Sequence, residues 1–363
     1  ACIIGDGLTS LALAKTLINK KINVHIYHKK IIEKLSSNRT IGIASKNLEF
    51  FEKEIFKFKK KDIWPIKKIE IYTEKIKEDK ILSFEKNNKN LFYMIRNNQL
   101  YKSLNKELLK SKFFKKLVMK ENNSYEKFLK KNKYDIIINC DPNSFISKKC
   151  FSKKIEKDYQ NIAYTSILEH EKIKNKTAIQ IFTKFGPIAF LPISNTETSI
   201  VCSLEVKEKQ YNDKEVLNLI NEKNPKFKIK KILKLQNFKL KSSHLRNYYF
   251  QNILAFGDTL HKIHPLAGQG FNMTIRDIKI LSKIIQNKID FGIQLDASIF
   301  KEFEQKTKHI NFIFMNGIDF IYEFFNIESK IKNKNITKTL KIIGKNGNFN
   351  NFLIKFADKG INF

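Results

Sequence analysis

The chain has 363 residues, of which 42% are apolar and 29% are charged, and these proportions exclude a disordered or fibrous protein. On length alone we expect about two domains. No apolar run approaches the roughly 20 residues that a membrane-spanning helix needs. No basic-then-apolar signal pattern opens the sequence, so we expect a soluble, cytoplasmic protein.

The charge balance is strongly basic. Lys and Arg number 69 against 36 Asp and Glu, which gives a net charge of +33. The lysines are spread along the whole chain, and neither zinc-finger spacing nor an RNA-binding aromatic pattern accompanies them, so we do not expect a nucleic-acid partner. Attraction to anionic lipid headgroups is the alternative, and it gains weight if the substrate is a membrane lipid.

Four cysteines are far apart in the sequence: Cys2, Cys140, Cys150 and Cys202. They form no C-x-x-C pair, and this spacing argues against both a zinc site and a disulfide framework. We therefore expect buried free thiols, as suits a reducing compartment.

The amino-terminal residues read as strand (Cys2 to Ile4), turn, helix (Leu11 to Lys20) and strand (Ile22 to Tyr27). The turn, Gly5-x-Gly7-x-x-Ser10, nearly matches the dinucleotide fingerprint, in which glycines permit a tight turn and a close approach of backbone to pyrophosphate. The helix amino terminus would supply N–H groups and partial positive charge to the phosphates.

The remaining elements follow in chain order. Helices are predicted at 45–56, 98–109 and 271–286, and residues 296–363 are predicted to be helical and are rich in Phe. Residues 73–90 are polar and predicted to form turns. Strands are predicted at 69–72, 91–95, 134–139, 163–168, 178–182, 188–193, 199–204 and 253–256. The alternating strands between 155 and 245 favour an antiparallel sheet inserted into an α/β domain.

A second glycine-rich turn is the strongest signal. It reads Gly257-Asp258-x-x-His-x-x-His-Pro265-x-Ala-Gly268-Gln-Gly270-Phe271-Asn272 and follows a buried strand. Asp258 at the strand end suits hydrogen bonds from a polyol such as ribitol. The backbone from Gly268 to Asn272 would point N–H groups at an electron-rich ring edge, because glycines let a planar ring lie against the chain.

This second turn, with the Arg-Asp pair that follows it, resembles the second flavin motif of the aromatic-hydroxylase flavoproteins of the p-hydroxybenzoate hydroxylase type. Within them it is most similar to the ubiquinone-biosynthesis hydroxylases. Five other segments resemble this family in order and spacing: 38–41, 91–97, 141–144, 158–160 and 182–192. The similarity therefore spans nearly the whole chain.

The resemblance implies an α/β fold: a Rossmann-like FAD-binding domain, an inserted antiparallel β-sheet substrate domain and a C-terminal helical segment. The FAD-binding domain is expected at 1–64, 91–150 and 246–295. The substrate domain is expected at 65–90 and 151–245, and the helical segment at 296–363.

The implied activity is hydroxylation of the aromatic ring of a polyprenylated phenol in ubiquinone biosynthesis. NAD(P)H would reduce FAD, O2 would form a flavin C4a-hydroperoxide, and its distal oxygen would add to the ring. An anionic surface at the inner face of the membrane and other ubiquinone-biosynthesis proteins are the expected further partners. The cofactor-binding residues assigned from the two turns and the resemblance are Gly5, Gly7, Ser10, Arg39, Asn97, Asp141, Gly257, Asp258, Pro265, Gly268, Gly270, Phe271 and Asn272. No catalytic residue and no metal site are assigned.

Three residues depart from the family pattern. Ser10 replaces the third glycine, His28 replaces the acid that ends the second strand and binds ribose, and Pro142 replaces a glycine after Asp141. These departures favour an alternative, a catalytically impaired flavoprotein or an accessory scaffold of the same pathway. A related flavoprotein that reduces or halogenates is a further alternative, although the lysine motif of halogenases is not apparent.

Simple structural roles compete with several of these assignments. Arg39 would otherwise form a surface ion pair, and Asn97 would cap a helix. His261 and His264 are expected to be structural hydrogen bonders. The Phe residues of the tail either dock on a membrane or pack as a helical core: Phe312, Phe314, Phe320, Phe324 and Phe325.

Overall fold

The structure is a computed structural model that describes residues 1–29, 38–73, 80–85, 89–119, 134–206, 211–264 and 269–331. None of the helices within these ranges combines the length and the apolar character that a membrane crossing requires.

In chain order the strands are β1 (Cys2–Ile4), β2 (Val24–His28), β3 (Thr40–Ala44), β4 (Ile63–Ile66), β5 (Lys68–Tyr72), β6 (Lys80–Glu85), β7 (Phe92–Arg96), β8 (Phe114–Val118), β9 (Ile137–Asn139), β10 (Lys154–His170), β11 (Thr177–Thr183), β12 (Gly186–Pro192), β13 (Glu197–Glu205), β14 (Ile229–Ile232), β15 (Gln236–Leu245), β16 (Tyr249–Phe250), β17 (Ile253–Ala255) and β18 (His261–Lys262). The helices are α1 (Leu8–Asn19), α2 (Ser45–Glu54), α3 (Asn97–Leu109), α4 (Phe145–Cys150), α5 (Asp213–Glu222), α6 (Gln269–Asp290) and α7 (Ser298–Ile331).

The first sheet has six strands in the order β16-β17-β9-β1-β2-β8. All neighbours are parallel except β16 and β17; Ile3 pairs with Ile26 on one side and Ile138 on the other. Helices α1, α3 and α6 pack against one another around this sheet, and their apolar residues join its strands in one buried core. The carboxyl ends of β1, β2, β9 and β17 therefore meet at one edge, as the amino-terminal βαβ pattern predicts.

The second sheet runs β18-β15-β10-β13-β12-β11-β5-β6, and β14 also pairs with β10. Its pairs are antiparallel except β5 with β11, so the sheet is mixed rather than purely antiparallel. A small third sheet, β3-β7-β4, completes the fold. The predicted class, a Rossmann-like part with an inserted β-sheet and a C-terminal helix, is confirmed, whereas the domain boundaries stay predictions.

The prediction of turns at 73–90 was wrong for one stretch. Residues Lys80–Glu85 form β6, whose Ile81, Leu82 and Phe84 are buried in a cluster with Phe182 of β11. Burial against a strand that is distant in sequence decides whether so short a stretch becomes a strand, and local polarity does not reveal that burial.

Helix α7 confirms the predicted C-terminal helix as far as Ile331; residues 332–363 and the side chain of Phe325 lie outside the described residues. Phe314 is buried, whereas Phe312 is 50% and Phe320 69% exposed. The ring of Phe320 stacks on that of Phe324 at 5.9 Å. One face of α7 therefore packs in the core, and the other face carries exposed aromatic side chains.

Buried polar groups attach α7 to the rest of the molecule. Asp277 of α6 lies 2.5 Å from His261 Nε2 and accepts a hydrogen bond of 3.2 Å from Asn311 of α7. Nearby, the ring of His264 lies between Tyr159 and Tyr322, at centroid distances of 4.8 and 4.3 Å. The expectation of structural hydrogen bonding holds for His261. It does not hold for His264, whose ring nitrogens have no partner among the described residues.

Two of the buried histidines make stability depend on pH. Burial lowers the pKa of His244 to about 4 and that of His264 to about 3. In the unfolded chain a histidine takes up its proton near pH 6.5, so between these values the unfolded state binds more protons. The free energy of unfolding should therefore fall as the pH falls below 6.5, by about 1.4 kcal/mol per pH unit for each histidine. Urea unfolding at pH 7, 6 and 5 measures this slope. His264→Phe should make it shallower, and an unchanged slope would contradict the assignment.

The side chain of Asn272 fixes α6 to β3 and α2. Its Oδ1 accepts from Ala44 N (2.8 Å) and Asn47 Nδ2 (2.9 Å), and its Nδ2 donates to Gly42 O (2.8 Å). Since Asn272 is buried, Asn272→Leu would leave these groups without partners. We expect a loss of about 3 kcal/mol in the free energy of unfolding. Asn221→Ala, on an exposed position of α5, is the control and should change it by less than about 0.5 kcal/mol.

Candidate functional site

Three turns converge at the carboxyl edge of the first sheet. Gly5 has a φ of +98°, and a Cβ there would lie 3.1 Å from Asp141 Cβ. Gly257 has a φ of +61°, and a Cβ there would lie 2.6 Å from Thr9 Cγ2. Both positions combine left-handed backbone with close approach, so only glycine fits. The turns that follow β1, β9 and β17 are thereby packed directly against one another.

The amino terminus of α1 opens onto free space at this edge. Gly7 occupies its N-cap position, no side chain caps the helix, and no heavy atom lies within 4 Å of the position that a Cβ of Gly7 would take. The first-turn N–H groups of such a helix lack intrahelical acceptors and attract anions. This cradle fits a phosphate group.

Ser10 faces away from that opening. It is buried, and its hydroxyl lies beside the thiol of Cys140 at the end of β9, where burial raises the pKa of Cys140 to about 12. Ser10 therefore provides the close helix–strand packing expected at the third position of the fingerprint.

The Asp141–Pro142 departure has a local explanation. Asp141 O accepts from Ser144 N at 3.1 Å, which makes a β-turn with Pro142 at its second position, where the fixed φ of proline is favoured. Ser144 then caps α4 by accepting from Ser147 N. The carboxylate of Asp141 accepts from Asn143 N and lies 3.7 Å from Lys29 Nζ. Proline thus stabilises the turn that presents Asp141.

Asp258, next to Gly257, is exposed and follows β17 in a single 3₁₀ turn. The carboxylates of Asp258 and Asp141 both raise the pKa of the Cys140 thiol electrostatically, so both lie near the end of β9. An exposed carboxylate beside an uncapped helix terminus suits the hydroxyl groups of a polyol that carries a phosphate. The structure thus brings together Gly5, Gly7, Ser10, Asp141, Gly257 and Asp258.

Arg39 and Asn97 meet at the end of the third sheet, next to β15 of the second sheet. Asn97 N donates to Arg39 O at 3.0 Å. Arg39 is exposed and lies 5.4 Å from the ring centroid of Phe238, so it stacks on an aromatic ring, and it forms no ion pair with the residues that the structure describes. Asn97 is the first residue of α3, whose N-cap is Arg96, so the capping alternative was wrong. Its buried Oδ1 has no partner among the described residues and is free for a ligand.

The start of α6 offers backbone rather than side chains. Around Gly270 the Cβ position is open, with Ile263 Cγ1 at 3.9 Å. Phe271 packs against Phe51, and the amide of Asn272 is fully used within the protein. The side chains of Phe271 and Asn272 are therefore not available to a cofactor, and only their backbone N–H groups remain candidates for binding it. Pro265 and Gly268 lie outside the described residues.

Two groups near α6 were missed as functional candidates. Both ring nitrogens of the buried His264 lack hydrogen-bond partners within the described part of the chain. The same holds for Nη1 and Nη2 of Arg276, which lies 3.9 Å above the ring of Phe314 and whose pKa burial lowers to about 10. Both residues are in the long motif, yet no periodicity or spacing distinguishes an unpaired buried group from a paired one.

A separate groove lies elsewhere in the described part of the chain. It has a volume of about 1040 Å³ and is formed by residues of β15, β16 and α7, among them His244, Phe250 and Phe312. It contains none of the predicted cofactor-binding residues. The converging turns, not this groove, are the candidate site.

Curated proteins of related sequence include hydroxylases of ubiquinone biosynthesis. The chain is 29% identical over 186 residues to the ubiquinone biosynthesis monooxygenase COQ6 of Dictyostelium discoideum, covering 41% of this chain and 38% of that protein. It is 29% identical over 152 residues to the 3-demethoxyubiquinol 3-hydroxylase of Escherichia coli, covering 40% and 39%. The chain thus spans well under half the length of these curated relatives. The predicted resemblance to ubiquinone-biosynthesis hydroxylases is confirmed.

Solved structures share the fold. The p-nitrophenol 4-monooxygenase PnpA of Pseudomonas putida superposes with a TM-score of 0.79 at 9% identity, covering 100% of this chain and 98% of the other. HpxO of Klebsiella pneumoniae, solved with FAD and uric acid, gives 0.69 at 11% identity, covering 99% and 97%. At these identities the likeness concerns the fold alone.

A sequence model of the family described as squalene epoxidase matches residues 135–356, which is more than half of the chain. This range contains the Asp141 turn, most of the second sheet and the whole second glycine-rich turn. The protein is therefore a member of the squalene epoxidase family.

Proposed function

We propose that the protein is an FAD-dependent monooxygenase that hydroxylates the aromatic ring of a polyprenylated phenol in ubiquinone biosynthesis. The observation that carries this proposal is the convergence of the three turns around an uncapped helix terminus. The names of the curated relatives support the substrate class. When bound, FAD reduced by NAD(P)H would supply the activated oxygen, while the protein positions the ring and excludes water.

The chain's own residues have distinct binding roles in this proposal. The first-turn amides of α1, opened by Gly7, bind the pyrophosphate. Asp258 accepts hydrogen bonds from the ribitol hydroxyl groups. The first-turn backbone N–H groups at the start of α6, which include that of Gly270, stabilise negative charge at the pyrimidine edge, as the positive end of a helix dipole does.

On the substrate side, the cluster of His264, Tyr159 and Tyr322 is suited to a phenol. Because burial lowers the pKa of His264 to about 3, its ring is neutral at pH 7 and one of its nitrogens accepts a hydrogen bond. The hydroxyl group of Tyr159 donates a hydrogen bond to Asp319. Burial and this carboxylate raise the pKa of Tyr159, so its hydroxyl group stays protonated. His264 is therefore the group proposed to orient the substrate hydroxyl.

The peripheral contact with an anionic membrane belongs to the same proposal. A net charge of +33 and the exposed Phe312 and Phe320 of α7 support it. Epoxidation of squalene is the second candidate, because the matching family model carries that description.

Flavin binding is tested by two substitutions. Gly7→Val fills the open space at the α1 terminus, and Asp258→Ala removes the proposed ribitol acceptor. Each should weaken FAD binding about tenfold or more, since hydrogen bonds to charged groups contribute roughly 1.5–3 kcal/mol. Flavin fluorescence titration of the purified protein measures the affinity. Asp290→Ala, an exposed carboxylate at the end of α6, is the control; wild-type affinity in both test variants would contradict the site.

The reaction is tested by product mass. The FAD-loaded protein is incubated with NAD(P)H, ¹⁸O2 and either a polyprenylphenol or squalene. We expect one labelled oxygen atom in the phenol product, and slower turnover in His264→Phe with FAD affinity retained. Label in squalene alone would favour the second candidate. No bound flavin and no product would favour the accessory scaffold.

A further inference from the structure

The amino-terminal βαβ unit lacks the acid that ordinarily ends its second strand. In dinucleotide-binding folds this carboxylate accepts hydrogen bonds from the ribose of adenosine. His28 ends β2 and stands in its place. The structure shows which groups surround this position and what hydrogen-bonding capacity they have left.

The imidazole of His28 has a defined proton position. Its Nδ1 lies 2.8 Å from Lys29 O. Because a carbonyl oxygen only accepts, Nδ1 must carry the proton of this bond, and in the neutral ring Nε2 is then an acceptor. No other described residue bonds to Nε2, and the side chain is 12% exposed. His28 thus retains one oriented acceptor at the end of β2.

A carboxylate that comes from the first glycine-rich turn, not from β2, lies beside His28. Asp6, between the two glycines of the first turn, has its Oδ2 3.9 Å from His28 Nδ1. The same oxygen lies 3.3 Å from Lys116 Nζ and 3.4 Å from the hydroxyl of Tyr101. Lys116 in turn donates to Tyr101 at 3.2 Å, so the linked side chains of Lys116 and Tyr101 hold Oδ2 in place.

The other oxygen of Asp6 is available. Oδ1 has no hydrogen bond or ion pair with any part of the chain that the structure describes, and the side chain is 34% exposed. Lys116 offsets the negative charge, so that a carboxylate is tolerated next to the phosphate-binding end of α1. Asp6 and His28 therefore present two acceptors, on adjacent strand ends, beside the proposed pyrophosphate site.

We propose that Asp6 and His28 together replace the missing acid and bind the vicinal hydroxyl groups of the adenosine ribose of a dinucleotide. Each acceptor accepts a hydrogen bond from one hydroxyl group. In the ordinary arrangement the two oxygens of a single carboxylate at the end of β2 do the same. This inference rests on the proposed function, because it assigns the adenosine end of the same FAD site.

The test pairs each variant with a ligand that lacks the same contact. Affinities of the full chain for FAD and for an FAD analogue with 2′,3′-dideoxyadenosine are measured by flavin fluorescence titration. Wild-type protein should prefer FAD about tenfold, because two hydrogen bonds are lost in the analogue. Asp6→Ala combined with His28→Phe should remove the preference, while His28→Gln, which keeps an acceptor, should restore most of it in the otherwise wild-type chain.

Glu107→Ala, a partly exposed carboxylate on α3 that pairs with Lys110, is the matched control and should keep the tenfold ratio. Equal affinity of the wild type for both ligands, or an unchanged ratio in the double variant, would overturn the ribose assignment while leaving the flavin site intact. Binding of neither ligand by the wild type would instead refute the proposed function. Because the ratio compares two ligands on one protein, partial unfolding of a variant lowers both affinities and leaves the ratio readable.

Discussion

The candidate site depends on one constraint, the close packing of three turns at the carboxyl edge of a parallel sheet. Gly5 lies against Asp141, and Gly257 lies against Thr9. Neither contact leaves room for a Cβ, so the strand ends are held at backbone distance. This packing places an open helix terminus next to exposed carboxylates, although the residues come from opposite ends of the sequence.

In the second glycine-rich turn, the side chains and the backbone have different roles. Its side chains largely serve the fold: Phe271 packs on Phe51, and Asn272 bonds to β3 and α2. What remains for a ligand is the peptide backbone at the start of α6. A motif that is long and specific in sequence is thus partly a requirement of packing, and Asp258 and the backbone at the start of α6 are the parts that can recognise a cofactor.

Much of the fold could be predicted from local pattern. The amino-terminal βαβ unit, the strands 163–204 and helix α6 follow from strong periodicity and from glycine turns. Strand β6 could not, because its burial comes from Phe182, nearly a hundred residues away in sequence. The same limit applies to the site. The glycines could be recognised from the sequence. However, the lack of hydrogen-bond partners for His264 and Arg276 within the described ranges arises only after α7 has packed. A role for Asp6 could not be predicted for a similar reason, because Lys116, which offsets its charge, lies on β8 and is far away in sequence.

The strand order of the first sheet also bears on how the chain is synthesised and folded. β1 pairs with β9, and β9 pairs with β17, whose residues are 253–255. The strands β1, β2 and β8 leave the ribosome first, yet β9 lacks its other neighbour, and one side of the sheet stays incomplete, until residues 253–255 have emerged. Such pairing across long sequence separations slows folding and leaves strand edges exposed meanwhile. The nascent protein should therefore depend on chaperones during translation more than its length alone would suggest.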